Sequence, residues 1–312
     1  MRSTSPFFIG AVIGLALMAF ALPGGEDAAQ FYTRPWSAAS NTPPWVHLVT
    51  APLGWFGFPA AWALLIALTL LVMGWAARVW GAPWWVAILN PATFWVLWLG
   101  QIELFPIAGA ALGWLVIQKR LHPLWMTVAY FCLLPKVQVG GGLMLLYTVW
   151  LWRDFGWRTL LRVAVLTGVL GVLSLLIWQD WVPLWITRLQ RLVPIDDPYT
   201  FNSSITPWGL LLVPLALLPV QYGKQRRARI VAALTLLVSP YFAGYHCALL
   251  LTMARSPLTW LASALPLLPM LLASNRGTFW LIPVFVIAYE LVTWRRDFNA
   301  RTLPDVLEYS PR

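Results

Sequence analysis

The sequence predicts an all-α fold, a polytopic bundle of transmembrane helices, and three observations predict it. Of 312 residues, 60% are hydrophobic and only 10% charged, with a mean hydropathy of +0.71; a soluble domain carries roughly 25% charged residues to keep its surface wetted. Apolar runs approaching the roughly 20-residue spanning length recur from end to end. The 22 tryptophans gather at the ends of those runs, among them Trp55, Trp80, Trp84, Trp85, Trp150, Trp152, Trp178, Trp181 and Trp294, as indoles do where a bilayer meets water.

Read in order, the runs place helices over residues 7–22, 60–77, 84–99, 104–118, 123–134, 139–152, 160–178, 207–222, 230–241, 242–254, 258–273 and 278–294. That makes about twelve crossings, within a range of roughly ten to twelve. The first run lies behind Arg2 and ends Ala19-Phe20-Ala21, which also fits a signal peptide; on either reading residues 23–58 lie outside. With the N-terminus in the cytoplasm, the inner connections hold Arg78, Lys119, Arg120, Arg153, Arg158, Arg162, Lys224, Arg226, Arg227, Arg229 and Arg255, and the termini add Arg2, Arg295, Arg296, Arg301 and Arg312. Only Arg34, Lys136, Arg188, Arg191 and Arg276 fall opposite, the positive-inside asymmetry. Both termini are therefore expected in the cytoplasm. Residues 1–294 read as one transmembrane domain with long outer loops at about 23–58 and 179–206, and residues 295–312 as a short cytoplasmic tail. Loops of that length are functional or disordered; these are rich in Pro, Trp and Tyr, which points to ordered interfacial structure. Gly10/Gly14 and Gly109/Gly113 have the small-xxx-small spacing of closely packed helices.

The net charge of +10 belongs to that asymmetry; no basic segment follows a groove-binding pattern, so no nucleic acid is expected as a partner. Cys132 and Cys247 sit within apolar runs and read as core residues. Phosphate-binding glycine loops, dinucleotide fingerprints, His-Glu-x-x-His and paired-cysteine zinc spacings are missing. The three histidines, His47, His122 and His246, argue against a His-built metal centre.

What remains is a set of polar groups at or just inside the predicted outer helix ends, where ionisable side chains are costly and mark function. They are Glu26 and Asp27, Gln101 and Glu103, Lys136 and Gln138, Asp196 and Asp197, and His246 beside Tyr245. Alternate helix junctions point the same way, so all of these converge on one side. Each has a plainer reading beside the functional one. Glu26-Asp27 reads as a solvated helix end, Glu103 and Lys136 as an ion pair tying two helices, Asp196-Asp197 as loop solubility, and His246 as a hydrogen-bonded interfacial histidine. A divalent metal at Asp196-Asp197 needs oxygen ligands that the sequence does not identify, so no cofactor is assigned. Asn202-Ser203-Ser204 matches a glycosylation acceptor only as a short pattern, and Glu290, with Arg295 and Arg296 beyond it, reads as structural.

Four segments follow one another in a recognisable order. Gly25-Glu26-Asp27-Ala28-Ala29-Gln30-Phe31-Tyr32 follows the first helix, with Pro43-Pro44-Trp45 and Ala51-Pro52-Leu53-Gly54 beyond it. Asn90-Pro91 leads to Gly100-Gln101-Ile102-Glu103-Leu104; Leu134-Pro135-Lys136-Val137-Gln138 comes third; Ser239-Pro240-Tyr241 leads to Tyr245-His246. Together, over about residues 24 to 254, these segments resemble the C-type (GT-C) membrane glycosyltransferases, and within them family 87 and its polyprenyl-phosphate-mannose-dependent mannosyltransferase-like relatives. Val137 departs from the family's Lys-Pro-Gln, with the proline moved to Pro135, and the chain is short for the family.

The resemblance implies a GT-C-like fold and inverting transfer of a hexose, mannose favoured, from a polyprenyl-phosphate donor. The acceptor would be a hydroxyl of a lipid, glycan or protein at the extracytoplasmic face of a prokaryotic plasma membrane. It implies Asp27 as the base that takes the acceptor proton, with Glu26 as its alternative, and Lys136 and His246 directed at the leaving phosphate. Arg34, Arg188 and Arg191 join them on charge and predicted side alone. Gln101 and Glu103 would hydrogen-bond sugar hydroxyls, and Gln138 and Tyr245 complete the substrate-binding set. Two readings from other classes stand beside this one. A lipid or solute transporter would place ionisable groups at mid-membrane on broken helices, and a non-catalytic membrane subunit would leave Asp27, Lys136 and His246 dispersed.

Overall fold

A computed structural model gives the fold and describes residues 5–37, 42–191, 203–217, 223–254, 256–267 and 278–302. Among these residues the secondary structure is helical throughout, with no strand. The helices are α1 Pro6–Ala21, α2 Pro44–Thr50, α3 Ala60–Trp80, α4 Trp84–Ile88, α5 Pro91–Leu99, α6 Leu104–Ile117, α7 Trp125–Leu133, α8 Val137–Phe155, α9 Trp157–Ile177, α10 Trp181–Arg191, α11 Gly223–Val238, α12 Ala248–Thr252, α13 Leu258–Ala264 and α14 Leu281–Thr302. A π turn at Ala28–Tyr32 and 3-10 segments at Ala51–Phe56, Leu134–Lys136, Trp208–Leu217 and Gly244–Cys247 lie between them. The outer loop expected at 23–58 is thus largely built of helical turns.

Among the described residues, three helical runs are long and apolar enough to cross a membrane: Ala60–Trp80, Trp125–Phe155 and Trp157–Ile177. Pro6–Ala21, Leu104–Ile117 and Trp208–Leu217 are apolar but shorter. The second long run is not a straight rod. Tyr130 Oη lies 2.8 Å from Thr148 Oγ1 across 18 residues, which a straight helix would separate by about 27 Å. The chain turns at Leu134–Lys136, where Lys136 leaves helical geometry (φ −130°, ψ 68°), and α7 and α8 fold back on each other.

Several predicted helices have different bounds, each for a local reason. The run 84–99 is two helices because Asn90 punctuates it. Its Nδ2 donates to the carbonyls of Val86 and Ala87, both at 2.9 Å, ending α4, while its Oδ1 accepts from Thr93 N–H at 2.8 Å and caps α5. Pro91 then takes the first helical position, where no N–H is needed. The helix expected at 230–241 begins at Gly223, so Arg226 and Arg229 are helical rather than loop. Glu290 of α14 makes this affordable, meeting Arg226 Nε at 3.0 Å and Arg229 Nη1 at 3.1 Å. Of 242–254 only Ala248–Thr252 is α-helix, and 258–273 contributes Leu258–Ala264, residues 268–273 lying outside the described ones. The helix expected to stop at 294 continues through Arg295 and Arg296 to Thr302, so the expected tail starts as helix.

The small-residue pairs behave differently from each other. Gly10 and Gly14 face open space; it is Gly74 of α3 that admits Phe8 of α1. Gly109 and Gly113 do sit in close packing, since a Cβ on Gly109 would lie 2.7 Å from Ala129 O and one on Gly113 would strike the Tyr147 ring.

Candidate functional site

Four connections that are distant in sequence meet in one polar chain. The first carries Asp27, which precedes the π turn after α1. Two contacts hold this loop against the end of α5: Gly25 N–H donates to Trp98 O at 2.7 Å, and Ala28 packs fully buried beside Gly100. Gly100 (φ 72°) ends α5, with Gly100 N–H bonded to Leu97 O at 3.2 Å and Gln101 N–H to Val96 O at 2.9 Å, the paired bonds of a Schellman stop. A Cβ on Gly100 would lie 2.6 Å from Ala28 Cβ. Only glycine tolerates both that dihedral and that approach, and the approach is what sets Asp27 against Gln101.

From there the chain runs inward. Gln101 Nε2 donates to Asp27 Oδ2, and its Oε1 accepts from Lys136 Nζ at 2.8 Å and from Tyr32 Oη at 3.4 Å. Lys136 Nζ also reaches Glu103 Oε1 at 2.9 Å and Oε2 at 2.8 Å. The same ammonium stands 4.7 Å from the centre of the Tyr245 ring, a cation–π distance. Glu103 Oε1 is 3.6 Å from His246 Nε2. Gln101, Glu103, Lys136 and His246 are all at most 5% exposed, whereas Asp27 is half-buried. Asp27 is therefore the most accessible end of the chain.

The protonation of this array follows from its donors. Ala243 N–H donates to His246 Nδ1 at 3.1 Å; an N–H can only donate, so Nδ1 carries a lone pair and the ring is neutral with its proton on Nε2. Nε2 has no hydrogen-bond partner among the described residues and faces Glu103. His246 thus offers an N–H and not the positive charge expected of it. The Lys136 charge is matched by Glu103, which leaves the Asp27 carboxylate as the uncompensated charge of the chain. Burial raises the Asp27 carboxyl above its ordinary value, against the opposing pull of Lys136 and the Gln101 hydrogen bond.

Of the predicted site residues, Asp27, Gln101, Glu103, Lys136, Tyr245 and His246 come together. Glu26 is exposed beside them, Gln138 is half-buried in the first turn of α8 outside the chain, and Arg34 is exposed in the loop that follows the π turn. Arg188 and Arg191 occupy the end of α10, their side chains outside the described residues, as are Asp196, Asp197 and Asn202. Among the described residues no three His, Cys, Asp or Glu side chains gather as a metal site. Lys136 and Glu103 form the ion pair of the plainer reading, and Lys136 also holds Gln101.

Two contributors carry no spacing that singles them out. Tyr32 is the second donor to Gln101. His47 of α2 pins the loop before it, its Nδ1 to Arg34 O at 2.9 Å and its Nε2 to Thr42 Oγ1 at 3.2 Å, beside a cavity of about 600 Å³ that Arg34, Trp36, Trp55 and Trp178 also line. Compared with known proteins, the chain matches no family model, no curated protein and no solved structure.

Proposed function

We propose that the chain is a GT-C-like polytopic membrane enzyme of about twelve crossings, an inverting transferase moving a hexose, mannose favoured, from a polyprenyl-phosphate donor to an acceptor hydroxyl at the outer face. The observation that carries this reading is the continuous chain Asp27–Gln101–Lys136–Glu103, which joins three of the four segments on which the resemblance rests; the fourth supplies Tyr245 and His246. Helix α8 supports the placement. Lys136 precedes its first residue, and Asp154, paired with Lys224, lies near its last. Its 19 residues span about 28 Å, close to a hydrocarbon thickness of roughly 30 Å, so the polar chain and the basic end lie one bilayer apart. A transporter would instead hold its ionisable groups at mid-membrane.

In the proposed reaction the acceptor hydroxyl gives its proton to Asp27 as its oxygen attacks the anomeric carbon from the face opposite the lipid phosphate. The bond from that carbon to the phosphate oxygen breaks, and the phosphate leaves with the electron pair. Gln101, held by Lys136, which Glu103 in turn anchors, fixes the aim of Asp27. Because Glu103 already matches Lys136, countercharge for the departing phosphate falls to Arg34, Arg188 and Arg191.

The test is sugar transfer from radiolabelled polyprenyl-phosphate mannose in membranes bearing wild type or Asp27→Asn. Transfer by wild type that drops roughly 10²- to 10⁴-fold in Asp27→Asn is the expected outcome. Undiminished transfer in the variant would remove Asp27 as the base. Well-folded wild type that moves no hexose from any polyprenyl phosphate, yet carries lipid or solute across a proteoliposome, would replace the enzyme with a transporter.

A further inference from the structure

The connection between α11 and α12 is tied down through its backbone. Ser239, 4% exposed, donates through Oγ to Tyr241 O at 2.6 Å and accepts there from Tyr241 N–H at 3.4 Å. Its own carbonyl accepts from Ser204 Oγ at 2.5 Å and from Thr206 Oγ1 at 3.0 Å. Ser203 N–H donates to Phe242 O at 2.6 Å. Tyr241 is thus presented by a fixed turn, half-buried. Its ring stands edge-on to His246, 6.1 Å between centres and 80° between planes. Its oxygen adjoins the hydroxyl of Tyr245, whose ring carries Lys136 on its face.

Two adjoining hydroxyls use one of their two protons on each other, which leaves the second O–H for a partner. The hydrogen bonds of Tyr241 to Ser239 both run through its backbone, and among the described residues no acceptor takes its hydroxyl proton. Burial raises the Tyr241 phenol, against the pull of Tyr245 and with the push of the Asp27 and Glu103 carboxylates. It therefore stays protonated near the base, a donor without charge.

We propose that Tyr241 is a further catalytic residue of this site, its hydroxyl donating to the phosphate oxygen that departs from the anomeric carbon. An ionised phosphate offers acceptors only, and Lys136 is already matched by Glu103, so a neutral O–H is what this cluster has left to give. The bond strengthens as negative charge gathers on the departing oxygen, and Tyr241 keeps its proton throughout. Asp27 and Tyr241 then divide the roles: one takes the proton of the acceptor hydroxyl, the other steadies the leaving group. The inference rests on the transferase reading and adds a residue to it.

Transfer from polyprenyl-phosphate mannose by the full-length protein in liposomes, with kcat and KM resolved, tests it. Tyr241→Phe should lower kcat about 10²-fold, with KM for the donor within about threefold and the melting temperature unchanged. Tyr245→Phe, which leaves the Tyr241 hydroxyl in place, should lower kcat by less than about tenfold. 3,5-Difluorotyrosine at position 241 carries a more acidic phenol. It should sustain transfer and move the basic limb of kcat to lower pH, because a donor acts only while it holds its proton. Undiminished transfer in Tyr241→Phe, a larger loss in Tyr245→Phe, or a basic limb unmoved by the fluorines would overturn the assignment and leave the transferase reading standing. Wild type that moves no hexose from any polyprenyl phosphate would remove both, so the two failures are told apart.

Discussion

A carboxylate that must take a proton works better when its surroundings have already raised its affinity for one. Burial does this to Asp27, with Lys136 and Gln101 pulling the other way. The base acts deprotonated, so transfer is lost as pH falls through the raised carboxyl value. The acid limb of kcat/KM is therefore expected above the ordinary aspartate value of about 3.9. Gln101→Leu removes one of the lowering contacts and should move that limb further up; a profile that stays flat down to about pH 4 would argue against Asp27. Lys136 makes a different prediction. With Glu103 at 1% exposure, Lys136→Met strands a buried carboxylate and should cost about 3–5 kcal/mol, while Lys136→Met/Glu103→Leu should recover most of it. Thermal unfolding in detergent measures both, and a double variant no more stable than the single would mean the pair does not act as a unit.

Packing between elements turns on which glycine faces which neighbour. Gly100 holds φ 72° with Ala28 against it, so Gly100→Ala should cost about 1–3 kcal/mol and displace the Asp27 loop, reducing transfer as well as the melting temperature. Gly10 of α1 faces open space, and Gly10→Ala should change stability by no more than about 0.5 kcal/mol. Equal effects at the two positions would contradict the packing described. The turn between α7 and α8 matters in the same way. Lys136 points at Glu103 and Gln101 because the chain abandons helical geometry there; continuous helix through residue 136 would carry the ammonium away from both.

Across the molecule, charge divides by end. Asp27, Gln101, Glu103 and Lys136 gather at the start of α8, and Arg153, Lys224, Arg226 and Arg229 lie toward the other end of the helices. There Glu290 ties α11 to α14 through two arginines, and Arg226 also meets Asp297 at 2.9 Å. If a bilayer separates the two ends, Glu26→Cys should react with a membrane-impermeant maleimide on intact cells and Lys224→Cys only after permeabilisation. Both positions are exposed, and the native thiols are half-buried at Cys132 and buried at Cys247, so the labels report sidedness. Labelling of both from one side would overturn the orientation.

The apolar, helical character of the chain was determined by composition, because a chain 60% hydrophobic and 10% charged falls far short of the charge that wets a soluble surface; among the described residues three helical runs are long and apolar enough to cross a membrane. The identity of the polar cluster was also largely legible. Polar groups at or just inside the ends of apolar runs are costly and few, and Asp27, Gln101, Glu103, Lys136 and His246 are all such groups. Who pairs with whom was not legible. Tyr130 meeting Thr148, Asn90 splitting one run into two helices, and Glu290 drawing Arg226 and Arg229 into α11 depend on contacts between elements. The same holds for Gly10 and Gly74: spacing marks a smooth helix face, and only the fold decides what lies against it. His246 is the clearest case, since its residue type permits either a cation or a neutral donor, and one backbone N–H from Ala243 decides between them.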